Sequence, residues 1–330
     1  MRCYCPPSGQ KEERLLFIRY SALGDVVRAI PIVATIKESF PALYITWLLE
    51  RPFDELIKGQ PYVDDLLVWD RKLGFKGFVR LILKIRKANF THLISVQGTD
   101  RSAVIALFSG IKNRAGRHDR ASFVYNMPSE DLTEVLGRPV RVDESRIYYQ
   151  VSGKLRLFAK SLLEGMPKPH IACIIGASKS VKRWPACCWA ELAFMVASSG
   201  GSALLLGHGR QEVDMAKEII SLLPRELKGH VLDLTGRLRL DETAAVIGIC
   251  DLAVGGDTGP MHLALALHKP AVGLFGPTLP GQVGLDKINV KLLSDCRCVG
   301  CKNWDCDKNC LSSIRSKEVF EALAGLQQFS

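Results

Sequence analysis

The chain of 330 residues is 47% hydrophobic and carries a formal charge of +10 at pH 7. That length supports a substantial core and favours two domains over one. No run of about 18 apolar residues occurs, so no membrane-spanning helix is expected. The polar start from Met1 to Glu13, with Pro6 and Pro7, lacks the apolar centre of a signal peptide, and a soluble cytosolic protein is expected.

In chain order, Leu15–Ile18, Ile45–Leu49, Leu66–Trp69 and His92–Val96 read as short apolar strands. Helices are expected from about Phe78 to Lys87 and over Ser102–Phe108. A second series begins near residue 170, with strands at Ile171–Ile175, Ala203–Leu206, Val231–Leu234, Leu252–Val254 and Val272–Phe275. Helices at Trp189–Ser198, Val213–Leu223, Thr243–Ile249 and Pro260–Leu267 alternate with them, and a last helix covers Val319–Leu326. This rhythm predicts an α/β protein with two Rossmann-like domains, each a parallel sheet covered on both faces. Residues 150–170, with Gly165, Pro167 and Pro169, read as the linker, and the domains are placed at 1–160 and 161–330.

The charge is uneven. Residues 71–120 hold twelve Lys or Arg against Asp100 and Asp119, which accounts for the whole positive excess. Such a local field attracts nucleic acid, acidic headgroups or a phosphorylated glycolipid, although a solvated helix face explains it equally well. No nucleic-acid-binding motif accompanies it, and nucleic acid is not expected as a partner.

Three loops after strands carry candidate chemistry. In Arg19-Tyr20-Ser21-Ala22-Leu23-Gly24-Asp25 a strand gives way to a helix starting near Asp25. A carboxylate there can act as a general base or simply cap the helix, and the residues alone favour the cap. Pro31 is expected to bend that helix. In Gly176-Ala177-Ser178-Lys179-Ser180-Val181-Lys182-Arg183-Trp184-Pro185, Lys182 or Arg183 can neutralise a pyrophosphate and Ser178 can donate to it; an ordinary basic loop is the alternative. In Gly255-Gly256-Asp257-Thr258-Gly259-Pro260-Met261-His262, free N–H groups at a helix start suit phosphate, and His262 lies on the first turn. A purely structural turn is the alternative. The first βα turn lacks G-x-G-x-x-G, which disfavours a dehydrogenase.

Together with Gly273-Leu274-Phe275-Gly276-Pro277-Thr278, these segments resemble glycosyltransferase family 9, the ADP-heptose:lipopolysaccharide heptosyltransferases and their relatives, over about residues 15–325. The resemblance implies a GT-B fold, two Rossmann-like domains whose parallel sheets face a central cleft. It places the acceptor in the N-terminal domain and the nucleotide sugar in the C-terminal one. It implies inverting, metal-independent transfer of heptose from ADP-heptose to an inner-core sugar hydroxyl. Asp25 becomes the base, Lys182 a donor-phosphate contact, and Ser178, Asp257, Thr258, Gly259 and His262 donor contacts. Glu212 is placed near the adenosine, with Gln211 equally suitable. Ser21, Gln97, Arg101 and Arg117 fall on the acceptor side. Ser95 and Arg141 depart from the pattern of many relatives, and both lie in the acceptor half. The partners implied are ADP-heptose or another nucleotide sugar and an anionic glycolipid, with the protein cytoplasmic and peripheral at the inner face of the inner membrane. Another donor or acceptor, or a non-catalytic nucleotide-sugar-binding protein, is the alternative.

Of eleven cysteines, Cys173 and Cys250 read as small hydrophobes, while five crowd into 296–310. Cys298-x2-Cys301-x4-Cys306-x3-Cys310 has the close spacing of a metal knuckle, with Cys296 to spare. A structural zinc or iron–sulfur site, disulfides formed on isolation, and free thiols all remain open. Catalysis itself is expected to need no cofactor.

Overall fold

The computed structural model describes residues 13–127, 132–137, 140–143 and 146–327. The chain divides between Tyr148 and Tyr149 into two compact units. The first unit contains β1 (Arg14–Ile18), α1 (Leu23–Ser39), β2 (Tyr44–Glu50), α2 (Asp54–Ile57), β3 (Asp65–Trp69), α3 (Gly74–Lys87), β4 (His92–Ser95), α4 (Asp100–Phe108) and β5 (Asn113–Gly116). Its five strands are all parallel, in the order β3-β2-β1-β4-β5.

The second unit contains α5 (Gly153–Leu162), β6 (His170–Ile174), α6 (Ala186–Ser198), β7 (Ser202–Leu206), α7 (Arg210–Ser221), β8 (Val231–Asp233), α8 (Leu240–Ile249) and β9 (Leu252–Gly256). It continues through α9 (Gly259–Ala266), β10 (Ala271–Phe275), α10 (Pro280–Val283), β11 (Val290–Leu293) and α11 (Ser316–Gln327). Its six strands are parallel, in the order β11-β10-β9-β6-β7-β8.

Strands β6, β7, β9 and β10 are buried along their whole length, because helices cover both sheet faces and leave no polar side for alternation. In the second unit Trp184 and Trp189 meet edge to face at 4.9 Å, and Trp184 Nε1–H donates to the Ile314 carbonyl at 3.0 Å. That bond lets a large indole be buried without stranding its polar atom. In the first unit Phe17 packs edge-on against Trp47, whose Nε1–H donates to the Arg19 carbonyl.

Both sheets reverse direction once. In the first unit the chain runs outward through β1, β2 and β3, then returns to place β4 on the other side of β1. In the second it runs through β6, β7 and β8, then returns to place β9 beside β6. Loops leaving neighbouring strands at such a switch point diverge to opposite faces and open a crevice at their carboxyl ends. The two crevices therefore lie at Arg19–Asp25 with Val96–Thr99, and at Gly176–Lys182 with Asp257–His262.

Several details differ from the sequence reading. Residues 150–170, read as a linker, contain α5, which packs on α8 within the second unit. Strands β5 and β11 are only four residues long; β5 carries Ala115 as its one apolar side chain, and β11 is an edge strand with no buried residue. Helix α1 starts at Leu23 with Ala22 at its N-cap, so Asp25 sits within the first turn and is not the cap. The helix continues through Pro31 to Ser39.

Candidate active site

In the first unit, β1 delivers Arg19 to the end of the sheet. Its guanidinium lies 2.5 Å from Asp25 Oδ2 and donates to the Val96 carbonyl at 2.6 Å. Arg28, one turn further along α1, stands 3.7 Å from Asp25 Oδ1. Asp25 thus has one oxygen fixed by Arg19, and its side chain keeps 38% exposure. The loop after β4 is tied down by its own polar groups: the Ser95 hydroxyl donates to the buried Gln97's carbonyl at 3.3 Å, and Ser21 N–H donates to Gln97 Oε1 at 3.4 Å. Thr99 caps α4 in a reciprocal box with Ser102, and its hydroxyl meets Tyr20 Oη at 2.5 Å. Ser21 and Gln97, placed on the acceptor side by sequence, are therefore brought together.

A cavity of about 740 Å³ opens beside this loop, lined among others by Ile94, Ser95, Gly98, Arg117, His118 and Asp119. Of the sequence-expected acceptor residues, Arg117 lines it. Arg101 lies instead over the Trp69 ring, at 5.9 Å. Ser95, noted as a departure from relatives, is a buried wall of the cavity. Sequence reasoning missed His118. Its Nδ1 accepts from the backbone N–H groups of Arg120 and Ala121, at 3.1 and 3.0 Å, so the proton sits on Nε2 and points to Asp100 at 3.1 Å. It also missed Glu50 at the end of β2, which is paired with Arg71 at 2.8 Å while burial pushes its carboxyl above the usual range. Neither residue has a local sequence signature, since each gains its partner from a distant segment.

In the second unit, the loop after β6 and the loop after β9 meet through one ion pair. Lys182 Nζ lies 2.5 Å from Asp257 Oδ2, and the two side chains are only 14% and 10% exposed. The Thr258 hydroxyl is buried and has no hydrogen-bond partner among the described residues, although Thr258 is the N-cap of α9. Gly259 and Pro260 form the first turn, and His262 is buried one step further on. The N–H groups at that end, an unpartnered hydroxyl and an ammonium make a cradle for an anion. A Cβ at Gly256 would come within 3.3 Å of the Lys182 carbonyl, so glycine keeps the two loops close.

Glu212, in the first turn of α7, folds back over Gly207, where a Cβ would sit 2.8 Å from its own Cβ. It is buried and lies 3.5 Å from Arg183, which also donates twice to the Ala177 carbonyl. Ser178 is exposed on the same loop. Of the two cations left open by the sequence, Lys182 meets the α9 terminus while Arg183 serves the Glu212 side.

Two doubly wound α/β units, one carrying a helix-terminus anion cradle, are the architecture of the GT-B class. Residues 132–311, more than half of the chain, match the model of glycosyltransferase family 9 (heptosyltransferase). The lipooligosaccharide heptosyltransferase 2 of Haemophilus influenzae is 34% identical over 298 residues, covering 81% of this chain and 84% of that protein. Among solved structures, a glycosyltransferase family 9 protein from Veillonella parvula superimposes with a TM-score of 0.82 at 21% identity, covering 98% of this chain and all of that one. The ADP-heptose lipopolysaccharide heptosyltransferase II of E. coli gives 0.76 at 21% identity, covering 96% and 99%. The chain belongs to glycosyltransferase family 9 and is a glycosyltransferase.

Proposed function

We propose that the protein transfers heptose from ADP-heptose to a sugar hydroxyl of a lipopolysaccharide inner core, with inversion and without a catalytic metal. The observation that carries this reading is the Lys182–Asp257 pair set against the unpartnered Thr258 hydroxyl at the start of α9. A departing nucleoside diphosphate gains negative charge, and an ammonium with fixed N–H dipoles stabilises charge where it develops. His262 and Ser178 flank that cradle, and Glu212 holds the neighbouring loop for the nucleoside. Asp25 is the base. Arg19 occupies its Oδ2, which leaves Oδ1 to take the proton as the acceptor oxygen attacks the anomeric carbon. The cavity beside Gln97, with Arg117 at its wall, suits an anionic sugar acceptor. No cofactor enters these steps.

The work is further proposed to take place at the inner face of a membrane. Among the described residues no helix is long and apolar enough to cross one. Helix α3, however, exposes Phe75, Val79 and Leu83 on one stripe, next to a stripe of Lys76, Arg80, Lys84 and Lys87. That pairing fits an anionic lipid surface.

The test is incubation of the purified protein with ADP-heptose and a heptose-deficient lipopolysaccharide core, followed by mass spectrometry. One added heptose, at a rate unchanged by Mg²⁺ or Mn²⁺, is expected. Tight ADP binding with transfer only from a different nucleotide sugar would replace heptose as the group moved. Absence of any nucleotide binding would overturn the reading.

A further inference from the structure

Residues 295–309 form a loop between β11 and α11 in which none is buried. It has no helix or strand of its own, and it is rich in charge, with Arg297, Lys302, Asp305, Asp307 and Lys308. Ordering a backbone costs roughly 1–2 kcal/mol per residue, and this segment, with only Val299 and Trp304 half-buried among its large apolar residues, has little apolar burial to offset that. Nevertheless it is held in a defined course. Gly300 N–H donates to the Gly276 carbonyl and Lys302 N–H to the Pro277 carbonyl, both at 2.8 Å. Asp295 N–H donates to the Ser313 hydroxyl at 3.1 Å.

The thiols converge within this loop. Cys296 Sγ lies 3.2 Å from Cys298 Sγ and 3.5 Å from Cys310 Sγ, and the three sulfurs lie within 4.8 Å of one another. Cys301 stands beside Cys298 as a hydrogen-bond neighbour. The close group differs from the four cysteines expected from spacing: Cys296 enters it, while Cys301 and Cys306 both stay outside. Tetrahedral thiolates at about 2.3 Å from one ion stand about 3.8 Å apart, close to the separations seen here. A multinuclear iron–sulfur cluster would interpose irons and sulfides and spread its thiolates farther.

We propose that Cys296, Cys298 and Cys310, completed by Cys301, bind a single thiophilic metal ion, zinc or iron, that crosslinks this loop. Thiolate ligands select such ions, and a crosslink supplies the ordering energy that the loop's surface cannot. The ion is a brace with no part in the chemistry. Its consequence reaches the anion cradle, because the braced loop carries Trp304, whose ring centroid lies 4.8 Å from Lys182 Nζ. Only this last link rests on the proposed function; the site itself does not.

The test is elemental analysis of the full-length protein purified under reducing conditions. About one zinc or iron per chain is expected, and the same measurement tells which. Cys296→Ser and Cys310→Ser should each lose more than nine-tenths of it, whereas Cys187→Ser, on α6, and Cys306→Ser should keep it. Thiol labelling of the folded protein should leave the four ligands protected until the metal is extracted, with a lower melting temperature afterwards. Metal-free protein with all five thiols reactive, a disulfide between any of them, or full metal in Cys296→Ser would overturn the site. Heptose transfer is not a readout here, so a failed transferase assay leaves the result standing.

Discussion

Lys182 Nζ sits 2.5 Å from Asp257 Oδ2, joining the loops that follow two neighbouring strands, β6 and β9, across the switch point of the second sheet. The pair holds the ammonium in place before any ligand arrives, so binding a diphosphate need not order a free lysine. Lys182→Ala removes a charge-assisted contact worth about 1.5–3 kcal/mol, and ADP should bind about ten- to a hundredfold more weakly by calorimetry. Asp257→Asn should weaken binding less, since it frees the lysine without removing it. Equal ADP affinity in wild type and Lys182→Ala would take Lys182 out of the site.

Asp25 and Arg19 make a separate test in the first unit. A general base contributes a factor of roughly 10²–10⁴ to the rate, so under the proposed role Asp25→Asn should lose that much in kcat while ADP affinity is unchanged. Arg19→Ala frees Oδ2 and removes the bond to the Val96 carbonyl. It should lower kcat by a smaller factor, because the carboxylate survives but loses its fixed direction. Full turnover by Asp25→Asn would assign the proton to another group.

The buried thiols report on packing. Burial pushes Cys250 up to about 12 and Cys173 higher still. Both should resist alkylation in the folded protein at pH 8.5, while exposed Cys187 reacts readily. The sign of the pH effect follows. These groups hold their protons in the fold but lose them in the unfolded chain above about pH 8.5. Stability is therefore unaffected at neutral pH and falls as pH rises from there toward the folded values. Melting temperature measured from pH 7 to 10 should decline, and the decline should be shallower in Cys250→Ala.

Much of this architecture is legible in the chain because it is local. A run such as Ile171-Ala172-Cys173-Ile174-Ile175 can hardly be other than a buried strand, and the glycine-rich turn before Pro260 marks the next helix by itself. Helix α5 was hidden because Gly165, Pro167 and Pro169 draw the eye to a linker, although they lie beyond its end. The partnerships that shape the sites were not legible. Nothing near His118 in sequence announces a hydrogen bond to Asp100, and nothing near Trp304 announces Lys182, because each depends on how distant loops return to one edge of a sheet. Cysteine spacing pointed to the cluster but not to Cys296, since a loop without secondary structure carries no periodicity from which to read side-chain direction.

Helix α3 offers the last test. Phe75 is 80% exposed and Leu83 51%, costly positions for a protein that meets only water. Arg86 ties the end of this helix to the Phe108 carbonyl of α4, where Leu107 and Phe108 are also exposed, so the apolar surface extends across two helices. Each basic residue near an anionic surface contributes about 1 kcal/mol, and the inserted apolar side chains add to that. Cosedimentation should therefore show binding to vesicles containing phosphatidylglycerol, weakened by salt, and little binding to phosphatidylcholine alone. Phe75→Ser with Leu83→Ser should reduce binding to the anionic vesicles by tenfold or more without changing the melting temperature, since neither side chain is in the core. Lys76→Glu with Lys84→Glu should do the same and abolish the salt dependence. Binding that is indifferent to both pairs of substitutions would leave the basic stripe as a solvated helix face and the protein without a membrane-facing surface on α3.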